Sequence, residues 1–95
     1  MKHLVSLRPR AEADLLEAYH WYEAQRPGLG DDFLDELECS IAALEEEPER
    51  RPVYYRGFRR YLTRRFPYKI FYRVEVNRVI VFRVLHAKMD HRRWL

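Results

Sequence analysis

The apolar residues of this 95-residue chain change their period near Pro52. Before it they recur every three or four positions: Ala11, Leu15, Ala18, Tyr19 and Tyr22, then Leu34, Leu37, Ile41 and Leu44. After it they alternate, with Ile70, Tyr72 and Val74 set against Lys69, Phe71 and Arg73. The first spacing lines one face of a helix and the second lines one face of a strand. A chain that switches once between them buries its apolar residues most simply by laying helices on a sheet.

Local signals refine this. His3–Leu7 is a short extended run, and Pro9 suits the first turn of a helix, where its missing N–H costs nothing. Glu12 and Asp14 favour the start of that helix through its dipole. Arg26-Pro27-Gly28 stops it. A second helix is predicted to begin near Asp31 or Asp32, either of which can cap it. Its stripe Leu34-Leu37-Ile41-Leu44 should pack on the first helix as an antiparallel hairpin, while its acidic face stays solvated. Glu45-Glu46-Glu47 sits badly at the negative end of the dipole, and Pro48 ends the helix. Strands are predicted over Phe58–Phe66, Tyr68–Val74 and Val79–His86, the last being the most apolar and therefore central. Pro67 marks a turn, and Val76-Asn77 is a hairpin turn in which Asn tolerates the left-handed conformation. Residues 87–95 form a basic tail. The expected fold is α+β in the order β-α-α-β-β-β. A helical hairpin packs on a mainly antiparallel four-stranded sheet, as one domain spanning 1–95.

Charge divides along the same boundary. Residues 1–49 carry 13 acidic and 4 basic side chains, a balance of −9. Residues 50–95 carry 2 acidic and 14 basic ones, a balance of +12. Ten of the fourteen aromatic residues also lie in the basic half, and interleaved arginine and aromatic side chains attract anions and stack on flat groups. The halves could in part neutralise each other across one small domain; otherwise the basic half meets an anionic partner, nucleic acid or an acidic protein segment. Cys39 is alone, which excludes an intrachain disulfide and a cysteine-based metal site. His86 to His91 lacks a third spaced ligand, so no metal and no cofactor are expected. The opening residues have too short an apolar run for a signal peptide, and nothing approaches the length of a membrane span. A cytoplasmic protein is expected.

Several stretches together carry a resemblance: Ala11-x-x-Asp14-Leu15 with Tyr19-x-x-Tyr22; Phe33-x-x-x-Leu37 through Leu44 and Pro48; Gly57; Phe66-Pro67-Tyr68-Lys69-Ile70-Phe71-Tyr72-Arg73-Val74; and Val79 through His86 before a basic tail with Trp94. In this order the chain resembles the RelE/ParE superfamily of type II toxin–antitoxin toxins. The resemblance implies a growth-inhibiting toxin of a plasmid-stabilisation or addiction module, silenced by a cognate antitoxin. One branch of the superfamily poisons DNA gyrase and the other cleaves mRNA in the ribosome. Candidates for a nuclease are Arg60, which approximates a basic position on the second strand, Lys69, near a third-strand arginine, and His86, at the end of the last strand. Leu62 stands where a second basic residue would help, and the tail lacks a tyrosine. His86 also reads as a polar strand-end residue that fixes the tail. The incomplete set favours the ParE-like branch, which binds and does not catalyse. Its target- or antitoxin-binding candidates are Arg59, Arg60, Arg64, Arg65, Arg73, Arg83, Arg92, Arg93 and Trp94. The alternatives are a ribosome-dependent mRNA endoribonuclease and a non-toxic homologue that only binds an antitoxin. A homodimer is compatible with each.

Overall fold

The structure, a computed structural model, describes residues 2–95. Strand β1 (Leu4–Leu7) leads into helix α1 (Pro9–Gln25) and helix α2 (Leu29–Glu46). A 3-10 turn follows at Pro48–Arg50, then strands β2 (Arg59–Leu62), β3 (Tyr68–Glu75) and β4 (Arg78–His86), and a second 3-10 turn at His91–Arg93. The sheet order is β1-β4-β3-β2, with β1 parallel to β4 and the other pairs antiparallel. β4 is central, as its apolar composition predicts.

Both helices lie on one face of this sheet. Ala11, Ala18 and Tyr22 of α1 meet Phe33, Leu37 and Leu44 of α2 over Ile70, Tyr72, Val79, Val81 and Val84. The buried side of α2 runs through Gly30, Phe33, Leu37, Ser40 and Leu44. It is therefore rotated from the predicted stripe: Leu34 is exposed and Ile41 only partly buried. The cause is Phe33, whose ring packs among Tyr22, Phe66 and Tyr68 at centroid distances of 5.4, 5.6 and 5.1 Å. That aromatic cluster turns α2 towards the sheet. Tyr72 completes the core and donates a 2.7 Å hydrogen bond to the Pro48 carbonyl.

Helix α2 begins earlier than its aspartates suggested, because its cap comes from α1. Gly28 adopts φ 90°, a conformation glycine reaches without strain, and the Glu23 carboxylate accepts from the N–H groups of Gly28 and Gly30 at 3.0 and 2.9 Å. Asp31 and Asp32 fall in the first turn. A Cβ on Gly30 would come within 2.8 Å of the Tyr19 ring, so glycine is what lets the hairpin close.

β2 is shorter than predicted. After Leu62, Thr63 turns the chain: its N–H donates to the Tyr68 carbonyl, and its hydroxyl binds both the Phe66 carbonyl and the Tyr68 N–H. Glu36 of α2 accepts from the N–H groups of Arg65 and Phe66 at 2.8 and 3.0 Å. The acidic face of α2 is thus partly employed in holding the β2–β3 turn and is not only solvated. Asn77 takes the expected left-handed conformation, φ 59°.

Candidate functional site

The helix-free face of the sheet follows from strand alternation. Phe71 in β3, Leu85 in β4 and Phe58 before β2 form a small second core there, with Phe82 and Leu95 against it. Arg60 pairs across from Phe71, and Lys69 pairs with Leu62 on one side and Leu85 on the other. The C-terminal segment folds back over this face. Asp90 starts its 3-10 turn by accepting from the Arg92 N–H, and His91 enters beneath it, 8% exposed. The His91 ring packs against Tyr54, Tyr55 and Phe71 at 5.0, 5.7 and 5.2 Å.

Arginine planes and rings interleave here. Arg60 lies 3.8 Å from the Tyr54 centroid, Arg73 lies 4.2 Å from Phe58 and 5.3 Å from Phe82, and Arg8 lies 5.0 Å from Phe82. Such stacking holds a charged group flat on an apolar floor. Arg73 also donates to the Arg56 carbonyl at 2.9 Å, and its buried Nε finds no acceptor among the described residues. A register shift between Phe71 and Tyr72 opposes Phe71 to Arg83 and Tyr72 to Val81, leaving Phe82 unpaired. A bulge of this kind re-aims neighbouring side chains.

Arg83 is tied down. Its Nε and Nη2 donate to the two Asp14 oxygens, both at 2.8 Å, and the two side chains are 11% and 12% exposed. The Asp14 hydrogen bond holds the guanidinium protonated more firmly than usual, burial opposing it. Asp14 also accepts from the Val84 N–H at 2.9 Å. β1 pairs with β4 only as far as Val81, so Asp14 replaces a neighbouring strand for Val84. Arg83 Nη1 reaches the Trp94 carbonyl at 3.3 Å, and its guanidinium faces the Trp94 ring at 5.6 Å.

The other sequence candidates are scattered. Arg59 donates to the carbonyls of Glu49 and Arg51. Arg65 pairs with Asp32 of α2 at 3.4 Å, and Arg64 is exposed beside it on the turn. Arg92 pairs with Asp90 at 3.3 Å; Arg93 is exposed, and Trp94 is 45% exposed. Of the three nuclease candidates, Arg60 and Lys69 share the helix-free face, but His86 does not. It pairs with Tyr68 and stands against that ring at 5.4 Å, on the side of Val84 and the helices, with Nδ1 accepting from the Lys88 N–H at 3.1 Å. The histidine facing Lys69 and Arg60 is His91. Burial lowers its pKa below the ordinary value, Lys69, Arg92 and Arg60 lower it further, and Asp90 opposes them. The sequence offers His91 only as a possible metal partner of His86, because no periodic pattern says that a tail folds back onto a sheet.

Two pockets flank the Arg83–Trp94 contact. One, about 740 Å³, runs between α1 and the end of β4, where Ala13, Trp21, Val84, Leu85 and Met89 line it. The other, about 520 Å³, opens at the start of α1, where Arg8, Arg10, Phe82 and Arg93 line it. Of the 14 basic residues in 50–95, ion pairs engage Arg50, Arg65, Arg83 and Arg92 among the described residues. Neutralisation by the acidic half is therefore a minor part of the charge pattern. No group of three His, Cys, Asp or Glu that could hold a metal ion occurs among the described residues. No described helix is long and apolar enough to cross a membrane.

The model of the family described as "ParE toxin of type II toxin-antitoxin system, parDE" matches residues 5–91. The fold is similar to that of the chromosomal ParDE toxin–antitoxin system from P. aeruginosa, with a TM-score of 0.81, 19% identity, and coverage of 92% of this chain and 98% of that one. It is also similar to the toxin–antitoxin complex RelBE2 from Mycobacterium tuberculosis, with a TM-score of 0.62, 23% identity, and coverage of 90% and 99%. No curated protein sequence matches the chain.

Proposed function

From the premise that this chain belongs to the family of ParE toxins of type II toxin–antitoxin systems, we propose that it inhibits growth in the cytoplasm by binding and poisoning DNA gyrase, and that a cognate antitoxin silences it. The observation that carries the choice of target is the separation of His86 from Arg60 and Lys69 by the thickness of the sheet. RNA cleavage at a 2′-hydroxyl needs a proton acceptor beside the cations that hold the phosphate. A guanidinium stays protonated across the working pH range and is a poor acceptor. Apart from His91, which three rings enclose, what the helix-free face offers is cations and rings: chemistry suited to holding an anionic target.

One observation favours a second reading. His91 is disposed to be neutral, the form a general base needs, and it feels Lys69 and Arg60. A ribosome-dependent mRNA endoribonuclease would use it, although three rings pack around it. The deciding experiment assays the purified protein against gyrase supercoiling and against ribosome-bound mRNA. We expect supercoiling to stop, cleaved DNA to accumulate and mRNA to stay intact. Cleavage of mRNA that falls by ~10²–10⁴-fold in a folded His91→Ala variant would transfer the assignment to the second reading.

For the antitoxin, the groove between α1 and β4 supplies apolar footholds at Trp21 and Met89, and the basic face supplies steering. A disordered segment with apolar anchors and flanking acids suits both. Its association rate should fall as salt rises; an on-rate indifferent to salt would remove the steering role.

A further inference from the structure

The pocket at the start of α1 differs from the rest of the basic face by joining uncommitted cations to exposed ring surface. Arg8, Arg10 and Arg93 line it, and none of the three makes an ion pair among the described residues. No aspartate or glutamate side chain lines it. Phe82 forms a floor on which Arg8 lies at 5.0 Å, and Trp94 forms a wall that is 45% exposed. Arg83 also borders the pocket, but Asp14 holds it, so its part is to fix Trp94 through the carbonyl contact at 3.3 Å. α1 opens here with Pro9 in its first turn and no side-chain cap, which adds the positive end of its dipole.

A carboxylate would satisfy the cations and leave Trp94 unused. A phosphate carrying a flat ring uses both, since every base has a face that stacks on an aromatic side chain. The pocket, open to solvent and about 520 Å³ in volume, is large enough for one nucleotide. We propose that this pocket binds one nucleotide, with its phosphate among Arg8, Arg10 and Arg93 and its base stacked on Trp94. This deepens the reading of the helix-free face as the target-binding surface and rests on it. The nucleotide is either free or a unit of single-stranded nucleic acid, and the chemistry is the same. An antitoxin segment lying over the face would close the pocket.

The test is titration of the full chain with adenosine 5′-monophosphate, adenosine, inorganic phosphate, a 5′-phosphorylated single-stranded tetranucleotide, and a polyglutamate peptide. The nucleotide and the tetranucleotide should bind, and adenosine and phosphate should bind at least about tenfold more weakly. Trp94→Ala should weaken nucleotide binding about tenfold or more. Arg10→Ala with Arg93→Ala should weaken it and flatten the salt dependence by about one unit of log–log slope per lost contact. Arg78→Ala, an exposed cation outside the pocket, should change neither, and circular dichroism verifies folding. A tetranucleotide that binds much more tightly than the mononucleotide identifies nucleic acid as the source; equal binding identifies the free nucleotide. Polyglutamate binding more tightly than either, phosphate matching the nucleotide, or a folded Trp94→Ala variant with unchanged affinity overturns the proposal. Gyrase inhibition is measured alongside. Inhibition without nucleotide binding removes this inference and leaves the gyrase reading standing; nucleotide binding without inhibition does the reverse.

Discussion

On one face of the sheet Phe33, Leu37, Leu44, Ile70, Tyr72, Val79 and Val81 lie sealed under two helices of 17 and 18 residues. On the other, Phe58, Phe71 and Leu85 are covered by stacked arginines and a C-terminal segment that contains one 3-10 turn and is held by His91 and by the Arg83–Trp94 contact. The first face is buried and joined by aromatic packing and cross-element caps. The second keeps its rings partly open and its cations largely unpaired. Burial of apolar area and satisfaction of buried polar groups set stability, whereas exposed charge and exposed rings set what a surface attracts. Under the proposed function, the same sheet therefore serves as a foundation on one side and as a binding surface on the other. Substitutions on the two sides should separate folding from function.

The largest effect belongs to the sealed face. Leu37 is 2% exposed, and Leu37→Asp puts a charge without a partner into the hairpin seam. A cost of several kcal/mol rivals the whole stability of a domain of this size, about 5–15 kcal/mol. The variant should lose its cooperative melt by circular dichroism; a melt like that of the wild type would show the seam to lie elsewhere.

Next comes the bond between the faces. Asp14→Ala strands the Arg83 charge and leaves the Val84 N–H without its acceptor. Breaking a buried pair from one side costs about 3 kcal/mol. Urea denaturation should reveal it, and Asp14→Ala with Arg83→Met should recover part of the loss. Failure of the double variant to recover any would mean that the pair is not what Asp14 serves.

Glu23→Ala removes the carboxylate that caps α2 across the hairpin. The expected loss is about 1 kcal/mol, that of a helix cap. A similar loss from Asp31→Ala or Asp32→Ala, with none from Glu23→Ala, would move the cap back to the residues that the sequence suggested.

The smallest effect is on the open face. His91 has its pKa lowered by burial and nearby cations, so the unfolded chain binds its proton more readily than the folded one. Stability from the docked tail is fully present above the unfolded pKa of about 6.5 and is lost as pH falls through the lower folded value. Amide protection factors over residues 87–95, taken relative to the intrinsic exchange rate at each pH, should fall on acidification while those of α1 and α2 hold. His91→Phe should abolish that dependence, and an unchanged dependence in that variant would assign it to another group.

How much of this was legible differs between the faces. The order of elements, the central position of β4, the turn at Asn77 and the burial of Tyr22 follow from periodicity and turn chemistry, because each is a local or face-wide pattern. The rotation of α2 was not legible: Leu34 and Ile41 fit a helical stripe as well as Phe33 does, and only the cluster of Phe33 with Phe66 and Tyr68 decides between them. The cap from Glu23 is likewise a tertiary contact. On the open face the sequence named the right kinds of residue without their grouping. Arg59, Arg65 and Arg83 carry the same charge as Arg93, yet they spend their donors on Glu49 and Arg51, on Asp32, and on Asp14. Which arginines stay free depends on acceptors far away in the chain, and that information is not in the local pattern.

If the helix-free basic face is where this toxin acts, its exposed cations are required for inhibition. Arg92→Glu with Arg93→Glu tests this most directly, because both side chains are exposed and neither touches the sealed core. The measurement is gyrase supercoiling inhibition by the purified double variant, with its melt checked against the wild type. We expect an unchanged melt and lost inhibition. A folded double variant that inhibits gyrase as well as the wild type would contradict this.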